Sequence, residues 1–107
     1  MSFGTSEVAS WTRLSVSGIV GDSGKAVDVV GYSIKSGGTA GNIYFFSAAG
    51  SSGAVAGTFA WADQARVVST EQTITLAYPT RLSGGCYVSF DSNVSAASIF
   101  YRQVMGQ

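Results

Sequence analysis

The residues of this chain that most resemble a catalytic motif lie in one short segment, Gly21-Asp22-Ser23-Gly24. A segment of this kind surrounds the nucleophile of one class of serine hydrolases, where a histidine must take the proton of the serine hydroxyl. The chain has no histidine, so the most common general base and metal ligand are both missing. Glycine and aspartate are also typical of tight turns, because glycine adopts positive φ angles at no steric cost. We therefore predict a turn here and no serine chemistry.

Two further candidate motifs fail on spacing or on context. Gly24-Lys25 would end a phosphate-binding loop only with a glycine five residues before Gly24 and a serine or threonine after the lysine. Those positions hold Ile19 and Ala26. Asn93-Val94-Ser95 matches the glycosylation acceptor pattern, but residues 1–10 show no basic and apolar segment of a secretory signal. We therefore interpret it as a hairpin turn.

The acidic residues and the single cysteine give no clear site either. Cys86 is alone and lies among strand-like residues, which excludes an internal disulfide and a multi-thiolate zinc site and predicts a buried apolar role. Acids that are distant in sequence can meet in a fold, so a glycosidase pair is an alternative to the solvated loop charges that we favour. We predict no enzymatic activity, no cofactor and no metal. The six acids are scattered singly: Glu7, Asp22, Asp28, Asp63, Glu71 and Asp91.

Composition points to association. The 107 residues fit one small domain, and six basic residues balance six acidic ones. Zero net charge gives no electrostatic reason to bind nucleic acid or an anionic membrane. Charged residues make up 11% of the chain, where a typical soluble domain has about 25%. A surface with so few charges lacks the repulsion that keeps copies apart, so we expect a homo-oligomer.

Apolar residues at a spacing of two predict an all-β fold, an antiparallel β-sandwich of seven or eight strands over residues 11–107. Residues 1–10 lack this pattern and are predicted to form an extended arm. A single helical turn fits only in residues 63–70. The proline at position 79 is expected to end a strand because it cannot donate to the sheet. The predicted strands are residues 12–20, 26–36, 42–48, 58–62, 71–78, 85–91 and 95–104.

The alternation also predicts which side chains share a face. Residues 12–20 place Leu14, Val16 and Val20 together, and residues 26–36 place Val30, Tyr32 and Ile34 together. Phe59 and Trp61 are expected on one face, and Ile74, Leu76 and Tyr78 on one face. The third predicted strand is different, because residues 42–48 are apolar on both faces, with Ile43 and Phe45 opposite Tyr44 and Phe46. A strand with one solvated face would not look like this, so the strand is either covered on both sides within the fold or meets another chain with its outer face. We predict the second, a subunit contact at Tyr44 and Phe46.

The aromatic residues allow two interpretations. They could form a platform for sugar or for nucleic-acid bases, or they could pack in the core and in subunit interfaces. The scarcity of basic residues favours packing. The residues concerned are Trp11, Tyr44, Trp61, Tyr87 and Tyr101.

Six segments set a characteristic order of strands and turns: residues 14–18, residues 29–34, a Gly-Gly-Thr-Ala-Gly-Asn turn, residues 43–46, residues 78–88 and residues 99–101. This order resembles the small β-sandwich virion proteins of tailed bacteriophages. The likeness covers about residues 10–104, and one departure is Ser47-Ala48-Ala49-Gly50, where similar sequences often carry Asp-Gly.

The resemblance implies a jelly-roll-like capsid decoration or cement protein, made in the host cytoplasm and carried on the capsid surface. Its expected partners are the major capsid protein and copies of itself, as a trimer. We expect one contact with these partners from Phe3, Val8 and Trp11 of the arm, and a second from Tyr44 and Phe46. The alternative is a carbohydrate- or receptor-binding module on a phage head or tail fibre.

Overall fold

The computed structural model describes residues 10–65 and 71–104. They form eight strands, with two 3-10 turns at Ser51–Gly53 and Ala56–Thr58 between the fourth and the fifth. The strands are β1 (Ser10–Leu14), β2 (Gly18–Val20), β3 (Val27–Ser36), β4 (Gly41–Phe46), β5 (Phe59–Ala65), β6 (Glu71–Leu82), β7 (Cys86–Phe90) and β8 (Val94–Gln103).

The strands form two antiparallel sheets that pack into a sandwich, as the sequence predicts. The first sheet has the order β1-β8-β3-β6 and the second the order β2-β7-β4-β5. The pairs are nested along the chain: β1 with β8, β2 with β7, β3 with β6, and β4 with β5. A long antiparallel ribbon rolled up in this way is a jelly roll. The pairs β3–β8 and β4–β7 join the ribbon into its two sheets.

The core lies between the sheets and is built from every second residue of each strand, as the spacing of two requires. Phe45 of β4 is its largest fully buried side chain. It stacks on Trp61 of β5, with ring centroids 4.3 Å apart, and contacts Tyr32 of β3 at 4.8 Å. Cys86 is fully buried in the same core, which confirms its predicted apolar role. Ile34, Ile43, Val88 and Ile99 complete the centre of the core.

The prediction of one strand over residues 12–20 is wrong. The chain leaves the first sheet at Leu14 and enters the second at Gly18, so β1 and β2 belong to different sheets. Val16 lies in the crossing and is 71% exposed instead of sharing a core face with Leu14 and Val20. A crossing between sheets breaks the alternation, because the two strands face the core independently of each other.

Two β-bulges reverse predicted faces. In β3 the pairing shifts between Val29 and Gly31, so Val30 is an extra residue outside the core and does not share a face with Tyr32. In β5 the partners of Phe45 and Phe46 are Trp61 and Phe59, which makes Ala60 the extra residue. Phe59 and Trp61 therefore lie on opposite faces, contrary to the prediction. One inserted residue changes the side on which all later residues lie.

Pro79 does not end its strand, contrary to the prediction. β6 continues to Leu82, but Thr75 pairs with Gly31 and Thr80 with Val29, so residues 76–79 bulge out of the ladder. β6 is at the edge of its sheet, where a proline is tolerated because one side of the strand has no partner. Tyr78 sits in this bulge and is 83% exposed, so it does not share a buried face with Ile74 and Leu76. β5 occupies residues 63–65, where part of a helical turn was expected, and residues 66–70 lie outside the described part.

Candidate functional site

A row of apolar side chains crosses the outer face of the second sheet. Ile19 pairs with Tyr87, Tyr87 with Phe46, and Phe46 with Phe59, so each of the four strands contributes one member. The ring of Phe46 contacts Phe59 edge-on at 5.7 Å and Tyr87 at 6.4 Å between centroids. Tyr44 extends the row, two residues from Phe46 on the same strand. We call these five residues the aromatic face.

The aromatic face remains in contact with solvent although it is apolar. Ile19 is 38% and Phe59 46% exposed, and the other three are half-buried. The remaining outward residues of these strands are neutral as well: Asn42, Ala62, Gln64 and Ser89. No outward strand residue of this sheet is charged, within the ranges that the structure describes. The outer face of an antiparallel sheet is normally polar, so this face is unusual, and exposed apolar patches of this kind are typical of interaction sites.

The outer face of the first sheet is built in the opposite way. Arg13 of β1 donates from Nη1 to Oε2 of Glu71 on β6 at 3.0 Å and to Oγ of Ser98 on β8 at 2.8 Å. Ser33 of β3 donates to the same Glu71 oxygen at 2.6 Å. One network thus joins all four strands. The Ser33 hydroxyl and, next, the Arg13 guanidinium lower the pKa of Glu71 below its usual value, because both stabilise the carboxylate.

A second ion pair lies on the outer face of the first sheet, which we call the charged face. Arg81 of β6 donates from Nε to Oδ1 of Asp28 at 2.7 Å and from Nη2 to Oδ2 at 3.0 Å, so the ion pair is bidentate. Asp28 is buried beneath the arginine. The charged face also carries Lys35 and Arg102, so six of the ten charged residues that the structure describes lie on one side of the sandwich.

The structure brings together only part of the predicted contact set. Tyr44 and Phe46 lie on the aromatic face. Trp11 lies in β1, at the edge of the charged face, and is 64% exposed. β1 begins at Ser10, so the last residue of the predicted arm belongs to the sandwich. Phe3 and Val8 lie outside the described residues.

The five aromatic residues that could have formed one platform do not share a surface. Trp61 stacks inside the sandwich, and Tyr101 packs against the core. Tyr44 and Tyr87 alone meet on the aromatic face. Ile19 and Phe59, which complete it, were not singled out from the sequence. The available signal was that Tyr87 stands opposite Cys86 and Val88 in the alternation, but the pairing of Ile19 and the bulge at Ala60 depend on neighbouring strands.

The residues with catalytic potential are engaged elsewhere. Gly21 and Gly24 have φ angles of 75° and 76°, and Lys25 N donates to Asp22 O at 3.2 Å, which confirms the turn. Asp63 accepts a hydrogen bond from the Tyr32 hydroxyl at 2.9 Å. Burial raises the pKa of the Cys86 thiol to about 12, so it is not a nucleophile at neutral pH. No cluster of metal-ligating side chains occurs among residues 10–65 and 71–104.

An open groove of about 350 Å³ lies at one end of the sandwich, beside Ser17, Phe90 and Asp91. The Asp91 carboxylate accepts hydrogen bonds from the backbone and side-chain nitrogens of Asn42 and from Asn93 N, so it fixes two loops. These hydrogen bonds account for the carboxylate of Asp91 at this place without a bound ligand. In the described part of the chain, no helix has the length and apolarity to cross a bilayer.

The geometry therefore singles out one candidate site, the aromatic face. Comparison with protein-family models, with curated proteins and with solved structures found no match.

Proposed function

We propose that this protein is a structural component of a phage virion, an oligomer that binds an assembled capsid at the junctions between capsid subunits and stiffens it. The observation that carries the proposal is the aromatic face, which is apolar, uncharged and exposed on an otherwise complete domain. Viral capsid domains and lectin domains both use jelly rolls, so the fold is compatible with this role but does not select it.

The aromatic face is suited to a contact between copies of this chain. A face pressed against its own copy brings identical groups together, so any charge would meet a like charge near the symmetry axis. The charged face would suffer this repulsion at Arg13 or Lys35, whereas the aromatic face would not. Burial of its rings removes apolar area from water, at roughly 25 cal/mol per Å².

The size of the aromatic face suggests how it would work. Four strands spaced by about 4.8 Å and three rows of side chains give roughly 300–400 Å² of flat area. A stable interface buries about 800 Å² on each partner. A single such contact is therefore weak, and it becomes effective when several are made at once in an ordered shell. A cement protein that binds the assembled capsid in preference to free subunits needs this behaviour.

The test compares one substitution on each face. Phe46→Lys places a charge in the centre of the aromatic face, and Thr73→Lys places the same charge on the exposed β6 strand of the charged face. We expect Phe46→Lys to reduce the largest mass that light scattering detects at high protein concentration and to abolish occupancy on purified capsids of the phage that encodes the chain. Thr73→Lys should retain both. A wild-type protein that stays monomeric at high concentration and leaves capsids bare would refute the proposal.

The arm provides a second, independent contact in this proposal. Residues 2–9 include Phe3 and Val8, and a short extended segment can add to the strand edge of a neighbour. Deletion of residues 2–9 should weaken capsid binding and leave the thermal unfolding of the sandwich unchanged. Equal capsid occupancy of the deleted and the full-length chain would remove the arm from the proposal but not the aromatic face.

One observation favours the second candidate function, a carbohydrate- or receptor-binding module. Asn42 and Gln64 pair across β4 and β5 on the same outer face, next to Tyr44 and Ala62. Amides beside an aromatic ring suit sugar hydroxyls and the apolar face of a sugar. Asp63, the residue before Gln64, points away from this face towards Tyr32. A glycan array separates the two functions: Gln64→Ala should abolish a glycan signal but leave self-association intact.

A further inference from the structure

The two sheets have four edge strands, and three of them carry features that oppose the addition of another strand. β2 has only three residues. β5 has the bulge at Ala60 and a charged residue, Asp63, on its inward side. β6 has the bulge of residues 76–79 with Pro79 inside it. Short length, bulges, prolines and inward charges are the usual means by which proteins protect sheet edges.

The fourth edge strand, β1, has none of these features. It is five residues long and pairs with β8 without a register shift. Its inward residues, Thr12 and Leu14, are uncharged. Its outward residues are Arg13 and Trp11, and the indole of Trp11 is 64% exposed. Among the residues that the structure describes, β1 pairs with β8 alone, and a regular edge whose other side has no partner strand is a template for one.

We propose that β1 pairs with β1 of a second copy in an antiparallel arrangement centred on Thr12. This register pairs all five residues and places Trp11 of each copy beside Arg13 of the other on the outer face. A guanidinium over an indole ring is a favourable cation–π contact. A register centred on Arg13 would instead oppose two guanidinium groups, and one centred on Trp11 would pair fewer residues of β1.

The pairing has a structural consequence for assembly. The two first sheets become one continuous sheet of eight strands, β6-β3-β8-β1 followed by the same strands of the second copy in reverse order. The aromatic faces belong to the second sheets and stay free. The dimer is then a bivalent unit that can link two neighbours, and it contains an even number of copies, in place of the trimer that the resemblance implies.

A single cysteine tests both the contact and its register. In the proposed pairing Thr12 lies opposite itself, and directly opposed residues on antiparallel strands lie within the distance that a disulfide spans. Thr12→Cys should form a disulfide-linked dimer of twice the monomer mass under mild oxidation. Thr73→Cys, on the protected edge strand β6, is the matched control and should remain monomeric. The native Cys86 is buried and should not react.

If Thr12→Cys does not fold, substitutions at Trp11 test the same pairing. Trp11→Lys opposes two cations across the pair and should shift the mass in light scattering from dimer to monomer, whereas Trp11→Phe should retain the dimer. The proposal is refuted if Thr12→Cys and Thr73→Cys cross-link at equal rates, or if the folded wild type is a trimer. Phe46→Lys should leave Thr12→Cys cross-linking intact, so failure of the aromatic face as a contact would not be confused with failure of this pair.

Discussion

The two outer faces of this sandwich are organised in opposite ways. On the first sheet, Arg13, Glu71, Ser33 and Ser98 form a hydrogen-bonded network across all four strands. On the second sheet, a row of apolar side chains crosses all four strands with Phe46 at its centre. Arg13 pairs with Glu71 and Arg81 with Asp28 within the domain. The rings of the second face reach only their immediate neighbours and leave apolar area exposed.

Under the proposed function, the first face serves the fold and the second serves association. An ion pair between exposed side chains contributes little to stability in water, but it keeps a surface hydrated and discourages contact with a copy. An exposed aromatic row contributes part of its burial energy to the domain and retains the rest for a partner. Substitutions on the charged face away from its β1 edge should therefore change mainly folding, and substitutions on the aromatic face mainly association.

The largest effect is expected where β4 faces inward. Phe45→Ala removes the ring that stacks on Trp61 and contacts Tyr32, and should lower the free energy of unfolding by about 3–5 kcal/mol. Urea denaturation followed by Trp fluorescence measures this loss. A loss below about 1 kcal/mol would show that the core is not centred on Phe45.

The next effect tests how closely the strands of the charged face approach one another. A Cβ on Gly31 of β3 would lie 2.7 Å from the carbonyl oxygen of Ile74 on β6, so the two backbones must separate. We expect Gly31→Ala to lower the free energy of unfolding by about 1–3 kcal/mol. Gly38→Ala is the matched control, because no atom lies within 4 Å of its Cβ position, and it should be neutral.

The fold could be predicted from the sequence further than the site could. Alternating residues such as Cys86 and Val88, or Ile43 and Phe45, correctly indicated strands and their buried side. Errors arose where a residue was inserted. Val30, Ala60 and the bulge at residues 76–79 each interrupt the alternation, and a bulge depends on how two strands pair.

The residues of the candidate site could be predicted only in part, again because local alternation does not show how strands pair. Tyr44 and Phe46 stood out because both faces of β4 are apolar, a property of one strand alone. Phe59 was assigned to the face of Trp61, since nothing in residues 58–62 signals the bulge at Ala60. Ile19 joins the aromatic face only because β2 pairs with β7. A surface made of four strands requires the order of the strands, which local patterns do not contain.

A smaller effect on stability should accompany loss of association at Phe46. This ring is half-buried and makes two ring contacts, so Phe46→Ala should cost only about 1 kcal/mol in unfolding. Sedimentation velocity of the same variant should show that association beyond the β1-paired dimer is lost. If unfolding loses as much as with Phe45→Ala while association persists, the ring serves the fold and the comparison of the two faces fails.

The smallest effect should come from the charged network, and it should depend on pH. The pKa of Glu71 is lowered in the folded state, mainly by the Ser33 hydroxyl and then by Arg13. A carboxyl group with a lowered pKa contributes stability above its unfolded pKa, near 4.5, and loses it as the pH falls through the folded value. The side chain is 40% exposed, so solvent screens the pair and the contribution should be below about 1 kcal/mol at neutral pH.

Glu71→Gln isolates this contribution because it removes the charge and retains the shape of the side chain. At pH 7 the variant should unfold at slightly lower urea than the wild type, and the gap should close as the pH falls below the folded pKa, where both side chains are neutral. Added salt at pH 7 should also narrow the gap between the variant and the wild type, since the side chains of Arg13 and Glu71 are both exposed to solvent. A gap that persists in acid would mean that packing or hydrogen bonding at this position, and not charge, holds the four strands of the charged face together.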